Sequence, residues 1–195
     1  MVENKKLGKL FVISAPSGAG KTTLTKEVIN RLQKDFPISK VITYTTRAPR
    51  KGEENGKDYF FVSHDEFDQK AKEGFFLETT EYQGHKYGSP SEILTELELG
   101  KSFVIITDIE GVKNIKHLHN HALFIWVKTS TIQELKKRLV KRGSLTNDQI
   151  EERLAMATGE LKEAEKARMF DYNVVNEVFE QTVGELIQLV KKELN

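Results

Sequence analysis

The sequence predicts an α/β fold: a central parallel sheet with helices between its strands, a small β-rich lobe set into the chain, and a helical lid. Three observations predict it. Leu10–Ile13, Phe103–Ile106 and Ala122–Val127 read as fully buried strands, and helical periodicity separates each from the next, the βαβ pattern of a parallel sheet. Between residues 38 and 89 that alternation gives way to short strand candidates joined by turns, a largely antiparallel insertion. A third segment, about residues 128–167, is a pair of strongly charged helices.

At 195 residues the chain suits one domain with inserted lobes. Hydrophobic residues make up 38%, enough for a core, and the charges nearly cancel to +1, which argues against a general nucleic-acid or membrane-surface role. Cys is absent, so disulfides, thiolate metal sites and a catalytic thiol are excluded. Leu10–Ile13, after a polar start, is too short for a signal or membrane segment. A cytoplasmic protein is the expectation. No internal repeat or low-complexity tract is visible.

The first strand leads into Ser14-Ala15-Pro16-Ser17-Gly18-Ala19-Gly20-Lys21-Thr22-Thr23, and Leu24, Val28, Ile29 and Leu32 follow at helical spacing. Strand, small-residue loop, Gly-Lys-Thr and helix together define a phosphate-binding loop, and so a P-loop core. Glycines let successive N–H groups point into one concavity, and the helix N-terminus adds positive potential. Lys21 can reach the β- and γ-phosphates, and the Thr22 hydroxyl can ligate Mg²⁺. The pattern's first glycine falls at Ala15, which is expected to have φ < 0, where Ala costs little.

The first helix is expected to end near Lys34, with Val41-Ile42 as a short strand. Thr43 to Tyr59 is almost free of aliphatic residues and longer than a normal connection, which favours a functional loop. Phe60–Val62 is a strand, Ser63 with Glu66 caps a helix that stops at Gly74, and Phe75–Tyr82 is a strand turning through Gln83-Gly84. Ser89-Pro90-Ser91-Glu92 reads as a helix start, with Ser89 as the cap. The Phe103–Ile106 strand ends at Thr107-Asp108. After the Ala122–Val127 strand, Ser130 with Gln133 caps one charged helix, and Thr146 with Gln149 caps a longer one that reaches about Ala167. Tyr172–Asn176 is a last strand, before a terminal helix with Val183, Leu186, Ile187 and Val190 inward. In open parallel sheets the ligand sits at the carboxyl ends of the strands, so the P-loop, Asp108 and the loop after Val127 share one rim beneath two movable covers.

These residues match a family. The P-loop, Thr45-Thr46-Arg47-x-Pro49-Arg50-x-Gly52-Glu53-x-Asn55-Gly56-x-Asp58-Tyr59, Phe76-Leu77-Glu78, Tyr87-Gly88-Ser89, Asp108-x-x-Gly111-Val112, Lys137-Arg138-Leu139-x-x-Arg142-Gly143, Arg153-Leu154 and Val174-Val175-Asn176 strongly resemble guanylate kinase, in order, across residues 7–193. The resemblance implies transfer of the ATP γ-phosphoryl group to GMP with Mg²⁺ and dGMP as a further acceptor; the charge balance argues for no nucleic-acid or membrane partner, and the sequence does not decide between a monomer and a homodimer. It also implies a core (about 7–37, 90–127 and 168–193), a GMP-binding lobe (about 38–89) and a lid (about 128–167).

It assigns Ala15 to Thr23 and Asn176 to ATP, with Thr22 and Asp108 on the metal directly or through water. Thr43, Arg47, Arg50, Tyr59, Glu78, Tyr87, Ser89 and Asp108 go to GMP: arginines and tyrosines on its phosphate, Glu78, Thr43 and Ser89 around guanine. Lys21, Arg138, Arg142 and Arg153 are the catalytic set, closing on the transferring phosphoryl group. Two departures stand out. Ile106 occupies a position where the family usually has an acid, and Glu110 one where it usually has Gln. Glu110 is the candidate to replace part of the lost charge.

Two other readings compete. A scaffold-type binding domain of the same family would have lost catalysis, but Gly18, Gly20, Lys21 and Thr22 are intact. A related kinase with another acceptor is disfavoured by the arginine, glutamate and tyrosine set. His117, His119 and His121 lack nearby acids and read as a solvated turn.

Overall fold

A computed structural model describes residues 6–141, 143 and 145–195. In chain order the elements are β1 (Leu10–Ser14), α1 (Lys21–Leu32), β2 (Ile38–Lys40), β3 (Tyr44–Thr45), β4 (Phe60–Phe61), α2 (His64–Lys72), β5 (Phe76–Tyr82), β6 (His85–Pro90), α3 (Ile93–Glu98), β7 (Ser102–Thr107), α4 (Ile109–Leu118), β8 (Leu123–Lys128), α5 (Ile132–Lys141), α6 (Asn147–Ala167), β9 (Tyr172–Val175) and α7 (Phe179–Leu194). The large sheet has the order β2-β7-β1-β8-β9 and is parallel throughout. The small sheet has the order β4-β3-β6-β5, with β3 and β4 parallel and the other pairs antiparallel.

The central strands β1, β7 and β8 of the large sheet are buried on both faces because they are apolar along nearly their whole length. Alternate side chains then serve opposite layers. Phe11 and Ile13 of β1, with Ile125 and Val127 of β8, pack with Leu24, Val28 and Leu32 of α1 and with Val183, Leu186 and Val190 of α7. Leu10 and Val12, with Phe124 and Trp126, pack instead with Ile109, Val112 and Ile115 of α4. Each such side chain contributes roughly 1.5–3 kcal/mol on burial.

Four sequence expectations are corrected. The strand expected at Val41-Ile42 lies at Ile38–Lys40, because Ile38 is the residue that fits under the sheet; Val41 adds one further bond, its N–H donating to Val104 O. That strand belongs to the edge of the large sheet, so a lobe boundary at 38 falls inside the core layer. Ser89-Pro90 is the end of β6 and not a helix start, and α3 begins only at Ile93. Ser89's hydroxyl is used elsewhere, as described below. The cap of α5 is Thr131, whose Oγ1 accepts the Glu134 N–H at 3.1 Å, one residue after the Ser130 expected from the sequence. The capping box of Thr146 and Gln149 on α6 is present in both directions. Among the described residues, no helix is long and apolar enough to cross a membrane.

Candidate nucleotide site at the sheet's carboxyl rim

The P-loop leaves β1 between the carboxyl ends of β7 and β8. Gly18 and Gly20 both have φ of 98°, a left-handed conformation that an L side chain rarely adopts. A Cβ on Gly20 would stand 2.7 Å from Asn176 Nδ2, so the close approach also requires glycine. The non-glycine residues with positive φ among the described residues are Gln83 and Arg168, so Ala15 has the negative φ expected for it. Lys21 Nζ donates to Ala15 O at 2.7 Å, folding the lysine back over its own loop.

One cavity collects most of the predicted residues. One wall is formed by Ser17, Gly18, Gly20, Lys21, Thr22 and Thr23, together with Arg153. The other wall is formed by Thr43, Arg47, Arg50, Tyr59, Glu78 and Tyr87. Asp108 and Ile106 form the floor between the two. Ala15, Pro16 and Ala19 are buried beneath the loop and shape it instead of lining the cavity.

Glu78 is 6% exposed. Its Oε1 accepts from Ser89 Oγ at 2.8 Å, while Oε2 is buried with no hydrogen-bond partner in the protein. Burial pushes this carboxyl up to about 7; the Ser89 hydrogen bond opposes the rise and Asp108 adds to it. Ser89 itself is fully buried behind Glu78 and does not line the cavity. A carboxylate with one satisfied and one orphaned oxygen is an acceptor waiting for donors.

Arg47 is held by Glu53, whose two oxygens each accept from Nη2 at 2.9 Å, and its guanidinium lies 5.3 Å from the Tyr59 ring centroid. Glu53 Oε2 also accepts the Arg50 N–H at 2.7 Å, so one carboxylate shapes the loop that carries both arginines. Arg50 is exposed on the cavity's edge. Burial raises the Tyr59 phenol above its ordinary value.

Asp108 caps α4, its Oδ1 accepting the Gly111 N–H at 2.8 Å. Burial raises its carboxyl, opposed by that N–H, by Lys21 and by the Thr80 hydroxyl. Glu110 points away: it is exposed and pairs with Lys113 at 2.6 Å, so the charge missing at Ile106 is not replaced inside the cavity.

Arg138 and Asn176 meet on the loop's other side, where they line a second cavity with Gly18, Gly20 and Thr23. Asn176 Nδ2 donates to Ala19 O at 2.7 Å, and Arg138 Nη2 donates to Asn176 O at 2.7 Å. Arg138 therefore braces the P-loop from outside the first cavity. Arg153 Nη1 donates to Ser17 Oγ at 2.8 Å. Arg142 lies outside the described residues.

Several site residues escaped the sequence reading. Thr80, Tyr82 and Gln83 line the cavity beside Glu78. Glu78, Thr80 and Tyr82 share one face of β5, so the period of two was the available signal. Glu160 of α6 was hidden in a charged helix. Its Oε2 is buried without a partner; burial raises its carboxyl, Lys21 opposes the rise, Asp108 adds to it, and the Ser17 backbone N–H lowers it.

The geometry sets the P-loop and Lys21 on one wall against Arg47 and Arg50 on the other, across a floor that carries Asp108. Comparisons with known proteins agree with it. The guanylate kinase family profile matches residues 7–193. A curated guanylate kinase of Geobacter metallireducens is 40% identical over 191 residues, covering 97% of this chain and 91% of that protein. The guanylate kinase of Thermotoga maritima is 37% identical over 187 residues, 95% of this chain and 87% of that protein. A crystal structure of guanylate kinase from Anaplasma phagocytophilum superposes with a TM-score of 0.78 at 29% identity, covering 97% of this chain and 88% of that one.

Proposed function

The chain belongs to the guanylate kinase family, whose members transfer the ATP γ-phosphoryl group to GMP to give ADP and GDP, and on that premise we propose which of its residues carry each part of the reaction. The large sheet with its P-loop is the donor core. The small sheet is the GMP lobe, and α5 with α6 is the lid. The observation that carries the assignment is the half-satisfied Glu78 carboxylate, buried in the same cavity as Lys21.

Guanine presents N1–H and N2–H₂ side by side, and Glu78 Oε2 lacks only such donors. Adenine offers an acceptor at N1, which would leave the buried charge unpaired, a strong basis for rejection. Thr43 stands on the guanine side of the same wall, and Ser89 fixes Glu78 from behind. Arg47, Arg50, Tyr59 and Tyr87 converge where the GMP phosphate would lie. Arg47 arrives pre-oriented by Glu53. A phosphate monoester has a second pKa near 6, so at neutral pH the nucleophile is largely ionised and no general base is required. Catalysis is then charge neutralisation and in-line positioning.

On the donor side the loop amides, Lys21 and the α1 N-terminus receive the ATP phosphates. Arg153 reaches them from the lid, with Arg138 and Arg142 as the other lid cations, and Asn176 holds the loop toward adenine. The residues present fit Mg²⁺: the Thr22 hydroxyl and the Asp108 carboxylate open on one cavity, and both are the hard oxygens that this ion prefers. When bound, the ion neutralises charge on the β- and γ-phosphates. dGMP as an acceptor and a cytoplasmic location follow from the same reading.

A coupled ADP-release assay with GMP, dGMP, AMP and UMP tests it. Turnover with GMP and dGMP and little with AMP or UMP is expected. Folded protein that fails to turn over GMP overturns the proposal.

A further inference from the structure

Gln83 sits at the tip of the β5–β6 hairpin, whose strands also carry Glu78, Tyr87 and Ser89. Its Oε1 accepts from Arg153 Nη2 at 3.3 Å, and its Nε2 lies 3.7 Å from Met156 Sδ. Arg153 and Met156 are three apart on α6 and share a face, so the Gln83 amide is seated on the lid helix by both its ends. Arg153's other nitrogen is on Ser17 of the P-loop. One guanidinium thus joins all three parts of the molecule: core, lid and acceptor lobe.

The backbone adds a second observation. Gln83 has φ of 53° and Gly84 φ of 72°. Two consecutive positive φ values make a primed hairpin turn, which suits the twist of the flanking strands. The residue that fits the first position best is Asn, whose short side chain tolerates the left-handed region. Gln is one methylene longer and less suited to the turn, and that length is what reaches Arg153. An outlier of this kind points from strain toward function.

We propose that Gln83 is a positioning residue for Arg153, which couples occupation of the acceptor lobe to presentation of the lid arginine at the transferring phosphoryl group. Strand pairing runs from Glu78↔Ser89 to Tyr82↔His85, so the hairpin moves as one lever about 17 Å long from guanine to tip. When GMP draws the lobe inward, the tip carries the Arg153 fork with it. Without acceptor the fork is less well aimed, which disfavours transfer to water. The inference rests on the proposed role of Arg153 as a donor-phosphate cation.

The experiment compares Gln83→Asn, Arg153→Lys and the double variant for kcat, both KM values and melting temperature. Gln83→Asn keeps or improves the turn but loses the reach. Its kcat is expected to fall roughly three- to tenfold, with both KM values within about twofold and no loss of melting temperature. In the Arg153→Lys background, where the fork is gone, the same change costs less than about twofold. A Gln83→Asn variant with wild-type kcat, or one whose loss is equally large in both backgrounds, overturns the inference. An unchanged kcat in Arg153→Lys overturns the role of Arg153 itself. A melting temperature that falls in step with kcat reduces Gln83 to a structural residue and also overturns it.

Discussion

Ser89 Oγ donates to Glu78 Oε1 at 2.8 Å and leaves Oε2 of the same carboxylate buried without a partner. The serine fixes the plane of the carboxylate and commits one oxygen. The second oxygen is kept for whatever enters the cavity.

Glu78→Gln is expected to lower kcat/KM for GMP by roughly 10- to 100-fold while changing that for AMP much less, because one guanine donor loses a charged acceptor. The same variant tests pH dependence. The Glu78 carboxyl ionises near 7 in the folded protein against 4.5 ordinarily. Between those values the unfolded chain has already lost a proton that the folded chain keeps, so this group makes the protein less stable as pH rises from about 4.5 to about 7, and flat above. Urea titrations across that window should show a smaller fall for Glu78→Gln than for the wild type. Equal slopes would refute the raised ionisation of Glu78, and an unaltered GMP/AMP ratio would refute its assignment to guanine.

Lys21→Ala removes the ammonium that folds over the P-loop and lines the donor half. Its kcat should drop by at least about 10²-fold, the usual scale for losing one group aimed at developing charge. GMP binding measured by calorimetry should persist, since the acceptor half is separate. An unchanged kcat counts against the donor assignment.

Asn176→Ala tests the brace beneath the loop. Asn176 is 4% exposed, and its Nδ2 holds Ala19 O at 2.7 Å. The substitution should cost about 1–3 kcal/mol and raise the KM for ATP more than that for GMP. For a chain of this length each kcal/mol corresponds to roughly 2–4 °C in melting temperature. Equal changes in both KM values would show that the brace does not serve the donor half.

Much was legible locally. The P-loop, the capping box on α6, the buried strands and the glycine turns are each fixed by interactions within a few residues, where pattern and mechanism coincide. Errors arose where two local signals compete. Ser89-Pro90-Ser91-Glu92 carries every mark of a helix start, yet strand pairing of β6 with β5 claims Ser89 and Pro90 first. Ile38–Lys40 is polar enough to look like a loop, but an edge position beside β7 needs only one buried residue.

By itself, the sequence determined the α/β class, the phosphate loop and, through its resemblance, the two-nucleotide chemistry, because those depend on residue type and short spacing. Only the tertiary structure decided that Arg138 braces the P-loop from outside, that Glu53 aims Arg47, that Glu110 turns away from the cavity, and that Gln83 meets Arg153. Long polar side chains such as these have many conformers of nearly equal energy. Which one is held depends on partners as far as 119 residues away in the chain, and neither propensity nor periodicity encodes that.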